Sequence, residues 1–381
     1  MEKVGIVGYY QVKPETNIQM SRPEMIFYAA RGALNYAGLK RDDLTTVISA
    51  TNDYYDGKTI SNCFTVEAGG AYLKDESKVE MDGAHAVNYG LMRCLSGHHK
   101  LALVWGASQP STFYYGCVRV LENDPTFDRP INLLNDYTAA ALGMRAYMNK
   151  FGVSVEDIAK VGVKNHKNAA KNPLAWNEAQ LPDITVEDVL NSEMLSNPIA
   201  KLMHALPCDG ATALVLAPEG LAQKIIDDPI WIIGVGLCQE TYYLGDRDLS
   251  ISVSMEKAAQ KAYKLAGIND PRKDIDVVEL FEHSAYEELV LAEALGLCEK
   301  GKGSSLSSEI NGEIPINPSG GNIGAFTPCA TGITRIIEAV KQIQGEAKGY
   351  QVKDANRAIA HGQIGFCAQN NIVFILEGGK R

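Results

Sequence analysis

The chain has 381 residues, 46% of them apolar and 22% charged, enough to build a sizeable core in one large domain or two medium ones. No apolar run approaches the roughly 18 residues a membrane helix requires, so no membrane partner is expected. A formal net charge of -10 repels phosphate backbones and argues against nucleic acid, but local cations can still hold a small anion. The opening run Val4-Gly5-Ile6-Val7-Gly8 reads as a strand rather than a basic stretch before a cleavable apolar segment. The cysteines (Cys63, Cys94, Cys117, Cys208, Cys238, Cys298, Cys329 and Cys367) form no C-x-x-C pair. No metal site is therefore expected in this chain, and the expected location is the reducing cytoplasm.

In chain order, the first strand Val4 to Val7 precedes a helical stretch, Glu24 to Tyr36, that stops at Ala37-Gly38. The strand Thr46 to Ala50 follows. A helix over Gly83 to Leu95, capped by Ser96-Gly97, leads to the strand Leu101 to Val104. From Ser108 to Cys208 runs a stretch with helical periodicity over Tyr137 to Phe151 and Val155 to Asn168, then a polar loop, Asn172 to Ile184. The strand Ala211 to Leu216 follows. The same order then returns: strand Trp231 to Val235, helix Met255 to Leu265 stopping at Ala266-Gly267, and strand Val277 to Phe281. A helix from Gly332 to Ile343 and the strands Ala358 to Ala360 and Asn371 to Leu376 close the copy. Two such units predict an α/β fold of duplicated βαβαβ halves, residues 1-228 and 229-381. They should form two mixed sheets with helices between and outside them. The insertion, about residues 109-207, belongs to the first half alone. It is expected to serve as a lid or binding surface, as a dimerisation arm, or as both.

Four stretches then become recognisable together. They are Val163-Lys164-Asn165-His166-Lys167-Asn168 with Asn172-Pro173; Asp209-Gly210-Ala211-Thr212-Ala213; Asn317-Pro318-Ser319-Gly320-Gly321 with Ala330-Thr331-Gly332; and Gln342 to Ala347 with Gln351-Val352. In this order they resemble the thiolase superfamily across nearly the whole chain, and its sterol-carrier-type members most. The resemblance implies an acyl-CoA substrate, with coenzyme A bound between the insertion and the loops around Asn317 to Gly321. It also implies a homodimer core paired through an edge strand of the first half, and in some members a small zinc-ribbon and OB-fold subunit.

In that family a cysteine thiolate at a helix N-terminus takes the acyl group. Here the position falls in Lys78 to Ala84: counting from the strand puts Gly83 there, and counting back from the helix end puts Glu80 there. Glu80 in that place would be a buried carboxylate with a raised pKa. Cys94 reads as core, and Cys63 is the remaining candidate for a relocated nucleophile. The family's His-Asp or Asn-Glu pair is replaced by Phe281-Glu282, with His283 next to it, and its Gly-His-Pro loop by Phe326-Thr327-Pro328. His361-Gly362-Gln363-Ile364-Gly365 resembles the last loop, without its cysteine acid.

Glu282 and His283 are the leading acid/base candidates, and adjacent residues leaving a strand point apart, so one of the two should face substrate. His361 is weighed against a histidine that merely holds its loop. Gly365 is weighed as an oxyanion donor against a simple turn. Asp82 reads as an N-cap and His85 as a residue one turn on that could reach the cavity. Tyr242 and Tyr243 read as pocket lining or as phenolic acids. Three functions remain open: a thiolase-like acyltransferase on a bulky or branched acyl-CoA, a retro-aldolase on a 3-hydroxyacyl-CoA, and a silent subunit of a heteromeric complex. Cysteine-less members that resemble this chain cleave steroid side chains by aldol chemistry, and one pair cleaves benzoylsuccinyl-CoA.

Overall fold

The computed structural model describes residues 3-113, 119-121, 123-131, 133-307 and 314-379; Cys117 lies outside them. The first half contributes β1 (Val4–Gln11), α1 (Arg22–Tyr36), β2 (Thr46–Ala50), β3 (Asp75–Val79), α2 (Gly83–Leu95), β4 (Ala102–Ser108) and, beyond the insertion, β7 (Gly210–Pro218). The insertion carries α3 (Asp136–Phe151), α4 (Val155–Ala169) and the small hairpin β5 (Met194–Ser196) and β6 (Ile199–Ala200). The second half runs β8 (Ile230–Gln239), α5 (Val253–Ala266), β9 (Val277–Glu279), α6 (Ala285–Ala294), α7 (Thr331–Gln344), β10 (Arg357–Ile364) and β11 (Asn370–Glu377). No helix among the described residues is long and apolar enough to cross a membrane.

Local chemistry sets the helix ends. At α1, Ser21 and Glu24 form a reciprocal capping box with proline in the first turn. At α2, the Asp82 side chain accepts the Ala84 N–H, and Ala84, Val87, Leu91 and Cys94 repeat at helical spacing on the buried face. Strands covered on both faces are apolar throughout. In β4, Ala102 and Val104 face one core while Leu103 and Trp105 face another.

The two expected sheets are one sheet of nine strands in the order β3-β2-β4-β7-β1-β8-β11-β10-β9. They join because β1 pairs antiparallel with β8 over three residues, Val4 to Ile6 against Ile230 to Ile232. About this seam the pairing is mirrored. Parallel β2-β4 matches β9-β10, antiparallel β4-β7 matches β10-β11, and β1-β7 matches β8-β11. Among the described residues, β3 is matched in this scheme by a single parallel bridge, Ile316 to Val278. The sheet wraps around α2 and α7, whose buried faces share one core with strands of both halves. α1 covers the outer face of the first half and α5 that of the second. The insertion packs on α6 and on Phe281, Ile323 and Phe326 of the second half.

Candidate active site

A narrow cleft enclosing about 40 Å³ opens where β2, β3, β9 and β10 end, the edge at which α/β sheets present their functional loops. Asn52 and Tyr55 follow β2, and Glu80, Met81 and Asp82 lead from β3 into α2. Phe281 and His283 follow β9, Phe326 to Cys329 precede α7, and Gln363 to Gly365 end β10. The insertion adds Arg119. Much of the wall is aromatic: His283 lies against Phe281 and Phe326, with ring centroids 5.0 Å and 5.3 Å away, and Tyr55 stacks on Phe113 at 5.7 Å.

His283 is gripped through its backbone. Its N–H donates to Glu287 Oε2 at 2.6 Å, and its carbonyl accepts the Ala205 N–H of the insertion at 2.8 Å. Enclosure by protein pushes its imidazole down to about 3, against the pull of the Asp136 carboxylate and with the Arg119 guanidinium reinforcing the shift. Arg119 binds Asp136 through Nε at 2.9 Å and Nη2 at 2.9 Å, and it lies over the Phe366 ring. Burial alone would raise Asp136, but Arg119 holds it below the usual carboxylate range. The cleft thus presents a neutral imidazole beside a neutralised ion pair.

Glu282 points the other way, as alternate residues leaving a strand do. It is buried outside the cleft, where Oε1 accepts the backbone N–H groups of Asn322 (2.8 Å) and Ile323 (3.2 Å) and Oε2 accepts Asn317 Nδ2 (2.9 Å). Asn317 Nδ2 also donates to Glu288 Oε2 at 2.8 Å, and Glu288 pairs with Lys164 of α4. Burial first, and the Glu288 charge second, push the Glu282 carboxyl well above its ordinary range. Asn165, Asn168 and Asn172 extend the network, the last two donating to the carbonyls of Asn317 and Ser319 at 3.1 Å. The stretches Lys164 to Asn172 and Asn317 to Gly321 therefore bind each other and fasten the insertion to the second half.

His361 is also buried outside the cleft. Its Nδ1 accepts the Phe281 N–H at 3.3 Å, and Nε2 lies 2.8 Å from Asn371 Oδ1; burial pushes it down to about 4. His85, in the first turn of α2, is buried with Nε2 3.0 Å from Asn370 Oδ1 and does not line the cleft. Cys94 is core, and Cys63 is exposed away from the cleft lining. Gly365, at φ +85°, lines the cleft.

The two registers at the start of α2 part here. Glu80 is not the buried carboxylate expected: it is exposed at the rim, where Oε1 accepts the Asp53 N–H and meets Lys78 Nζ, both at 2.8 Å. Gly83 does start the helix, but it has no room for a side chain. A Cβ there would lie 2.5 Å from Ile333 Cγ1 and 2.8 Å from Cys329 O. The buried carboxyl of the cleft is Asp82, which burial pushes up to about 7 against its backbone donors, Ala84 and Gly332.

Sequence reasoning missed Arg119, Gln363 and Cys329. Nothing in the local pattern marks Arg119. Cys329, half-buried at φ +65°, lay in a loop already singled out. Burial, and then the Asp56 carboxylate, push its thiol well up, so it stays protonated at neutral pH.

Two larger spaces adjoin. A chamber of about 240 Å³ shares Gly365 with the cleft and is lined by Leu133, Leu134, Leu142, Tyr242, Tyr243 and Phe366 among others. The groove expected between the insertion and the Asn317 loops also exists, at about 610 Å³, with Lys171, Arg272, Lys273 and Lys353 on its walls. It shares no lining residue with the cleft; of the stretch Asn317 to Gly321 only Pro318 lines the groove, and none lines the cleft. Among the described residues no group of three or more His, Cys, Asp or Glu is placed to hold a metal.

Residues 237–378 match the thiolase C-terminal domain-like family. A solved structure titled Ltp2-ChsH2(DUF35) aldolase aligns over 100% of this chain and 98% of its own, with a TM-score of 0.84 at 24% identity, a likeness of fold. The benzoylsuccinyl-CoA thiolase subunit BbsB of Thauera aromatica is 32% identical over 238 residues, covering 61% of this chain and 60% of that protein. The acetyl-CoA acetyltransferase of Methanothermobacter thermautotrophicus is 30% identical over 381 residues, 95% of this chain and 96% of that protein. With identity of that order running nearly from end to end, and with the nine-stranded sheet wrapped around two central helices, the chain belongs to the thiolase family.

Proposed function

We propose that this protein cleaves or forms a carbon–carbon bond beside the thioester of a bulky acyl-CoA without an acyl-cysteine intermediate. Retro-aldol cleavage of a 3-hydroxyacyl-CoA is the reaction its cleft fits best. The observation that carries this reading is the start of α2. The residue there is a glycine with no space for a side chain, and the cleft beside it offers acid/base groups and a protonated thiol instead of a thiolate. A retro-aldol step needs a base for the hydroxyl proton and donors for the thioester enolate, and no nucleophile.

In this reading His283, neutral at physiological pH, is the acid/base group that meets substrate, while Glu282 and His361 position the loops on either side. Gly365 stands where the cleft meets the larger chamber, so the pantetheine arm enters past Tyr242 and Tyr243 and its amide is offered to the thioester oxygen. The aromatic wall favours a flat group beside the reacting bond, and at about 40 Å³ the cleft takes the reacting atoms while the bulk of the acyl chain extends beyond it. A small zinc-ribbon and OB-fold partner subunit and a homodimer core belong to the same proposal; two similar proteins carry names of subunits or pairs, BbsB and Ltp2-ChsH2.

The test combines two measurements. Labelled acyl-CoA is incubated with the protein, alone and with any co-purified small subunit, and digested peptides are searched for labelled cysteine. Cleavage of 3-hydroxyacyl-CoA without added CoA is then followed. Cleavage with no labelled cysteine is the expected result. A labelled Cys63 or Cys329 peptide would overturn it in favour of ordinary thiolysis. Activity that needs a partner and survives both His283→Asn and Asp82→Asn would make this chain a silent subunit.

A further inference from the structure

Asp82 takes no part in the scheme above, yet the fold is built around its carboxyl group. Oδ2 accepts the Ala84 N–H at 2.9 Å, at the start of α2, and Oδ1 accepts the Gly332 N–H at 3.0 Å, at the start of α7. One carboxyl thus spans the N-termini of the two central helices. Glycines make room for it. A Cβ on Gly332 would collide with Oδ2, and one on Gly362 would lie 2.8 Å from it. The residue is buried and lines the cleft. An N-cap needs only the α2 contact, so the second donor and the glycine cradle call for another account.

A second, independent observation points to a ligand in the same place. Gln363 lines the cleft and is almost wholly buried. Its Nε2 is used twice, donating to Phe281 O at 2.6 Å and Glu287 Oε2 at 2.9 Å, while its Oε1 accepts no hydrogen bond. A buried acceptor without a donor is costly, and a substrate hydroxyl or amide N–H would satisfy it.

We propose that Asp82 is the general base of this cleft and carries the proton of the reaction from the substrate's hydroxyl oxygen to its C2 carbon, with the neutral His283 across the cleft serving as a hydrogen-bond donor to the developing thioester enolate. This rests on the aldol reading given above. The carboxylate takes the proton from the 3-hydroxyl, the C2–C3 bonding electrons pass to C2 as the thioester enolate, and O3 leaves as the carbonyl of an aldehyde or ketone. Asp82 then gives a proton to C2, and in the product complex it can take one back from C2 and exchange it with solvent. Nothing is oxidised or reduced, no co-reactant is consumed, and Asp82 ends as it began. O3 and C2 sit on either side of one carbon, so the two oxygens of a single carboxyl reach both. Among the described residues the charged and titratable groups that face it are Arg335 from α7, Cys329 from the loop before α7 and His85 from its own helix, and Glu80, Arg119 and His283 line the same cleft.

The experiment compares wild type with Asp82→Asn, which keeps one acceptor oxygen for the α2 cap, loses the ionisable function and sets its amide NH2 against the Gly332 N–H, so the denaturation midpoint is read beside the activity and the rates are taken per folded molecule. Cleavage of a 3-hydroxyacyl-CoA should fall by a factor of about 10² to 10⁴. The wild-type kcat/KM should show an acid limb near pH 7 that the variant lacks. Exchange of C2 hydrogens of the product acyl-CoA with deuterated solvent, read by mass spectrometry, should occur in wild type and be lost in the variant. Equal cleavage or exchange by both proteins, or an unchanged acid limb, would overturn the role of Asp82 and leave the aldol reading standing. Wild type that neither cleaves nor exchanges, with its partner present, would overturn both.

Discussion

At the start of α2, beside the cleft, chemistry and packing make opposite demands on a substitution. Gly83→Cys puts a thiol where the family's chemistry wants one, but its Cβ meets Ile333 and the Cys329 carbonyl. We expect a loss of about 1–3 kcal/mol from overpacking, read as a lowered denaturation midpoint, and no acyl-cysteine. The two histidines also separate. His361→Ala removes the acceptor of the Phe281 N–H and should cost about 1–3 kcal/mol of stability while activity per folded molecule persists. His283→Asn should do the reverse, leaving the midpoint nearly unmoved and cutting kcat. The sequence could not rank these residues, because rank depends on which face of a strand looks into the cleft. His361 sits inside β10 opposite Val373, and Glu282 and His283 diverge as they leave β9. That Glu80 is surface-bound was hidden for a similar reason. Its partner Lys78 lies two residues before it, near the end of the edge strand β3, a pairing that looks the same in sequence whether the strand end is buried or not.

Among the elements, those held by local chemistry were legible. The span Gly83–Leu95 was readable to the residue because a capping aspartate precedes an uninterrupted apolar stripe. Strand β3 was not read at all: four of its five residues, Asp75, Glu76, Ser77 and Lys78, are polar, as suits a sheet edge, and only pairing with β2 makes them a strand. Nor could Arg119 be placed, since its approach to the cleft depends on how the insertion folds back. α4 anchors that insertion through Lys164, whose ammonium pairs with Glu288 and donates to Ile316 O at 2.9 Å. Lys164→Met strips Glu288 of its counter-ion in a buried setting and should cost about 3–5 kcal/mol in urea unfolding. A variant that loses less than 1 kcal/mol, by order of magnitude, would show that the pair is a minor part of the anchor.

For the molecule as a whole, buried titratable groups of opposite kinds set the response to pH. His204 and His361 are pushed down to about 4 and His283 to about 3, and His85 and His166 are lowered too, all chiefly by burial. Their folded forms refuse a proton that the unfolded chain accepts below about 6.5, so stability falls as pH drops through that window. Asp82, Glu279 and Glu287 are pushed up to about 7, and Glu282 is raised as well. These hold a proton in the folded state that the unfolded chain releases above about 4, so their contribution is lost as pH rises towards 7. Each proton of difference is worth about 1.4 kcal/mol per pH unit. The sets oppose each other between about pH 4.5 and 6.5, where the melting temperature should be nearly flat. Above that only the carboxyl groups act, and it should decline; a steady rise from pH 6 to 8 would contradict the assignment. The seam between β1 and β8 is only three residues long, yet Val4, Ile6, Ile230 and Ile232 belong to the same buried core as α2 and α7. Opening the seam means losing that core. Calorimetry should therefore show one cooperative transition, and the seam amides should exchange with solvent only on global unfolding. The duplicated chain would then behave thermodynamically as a single unit.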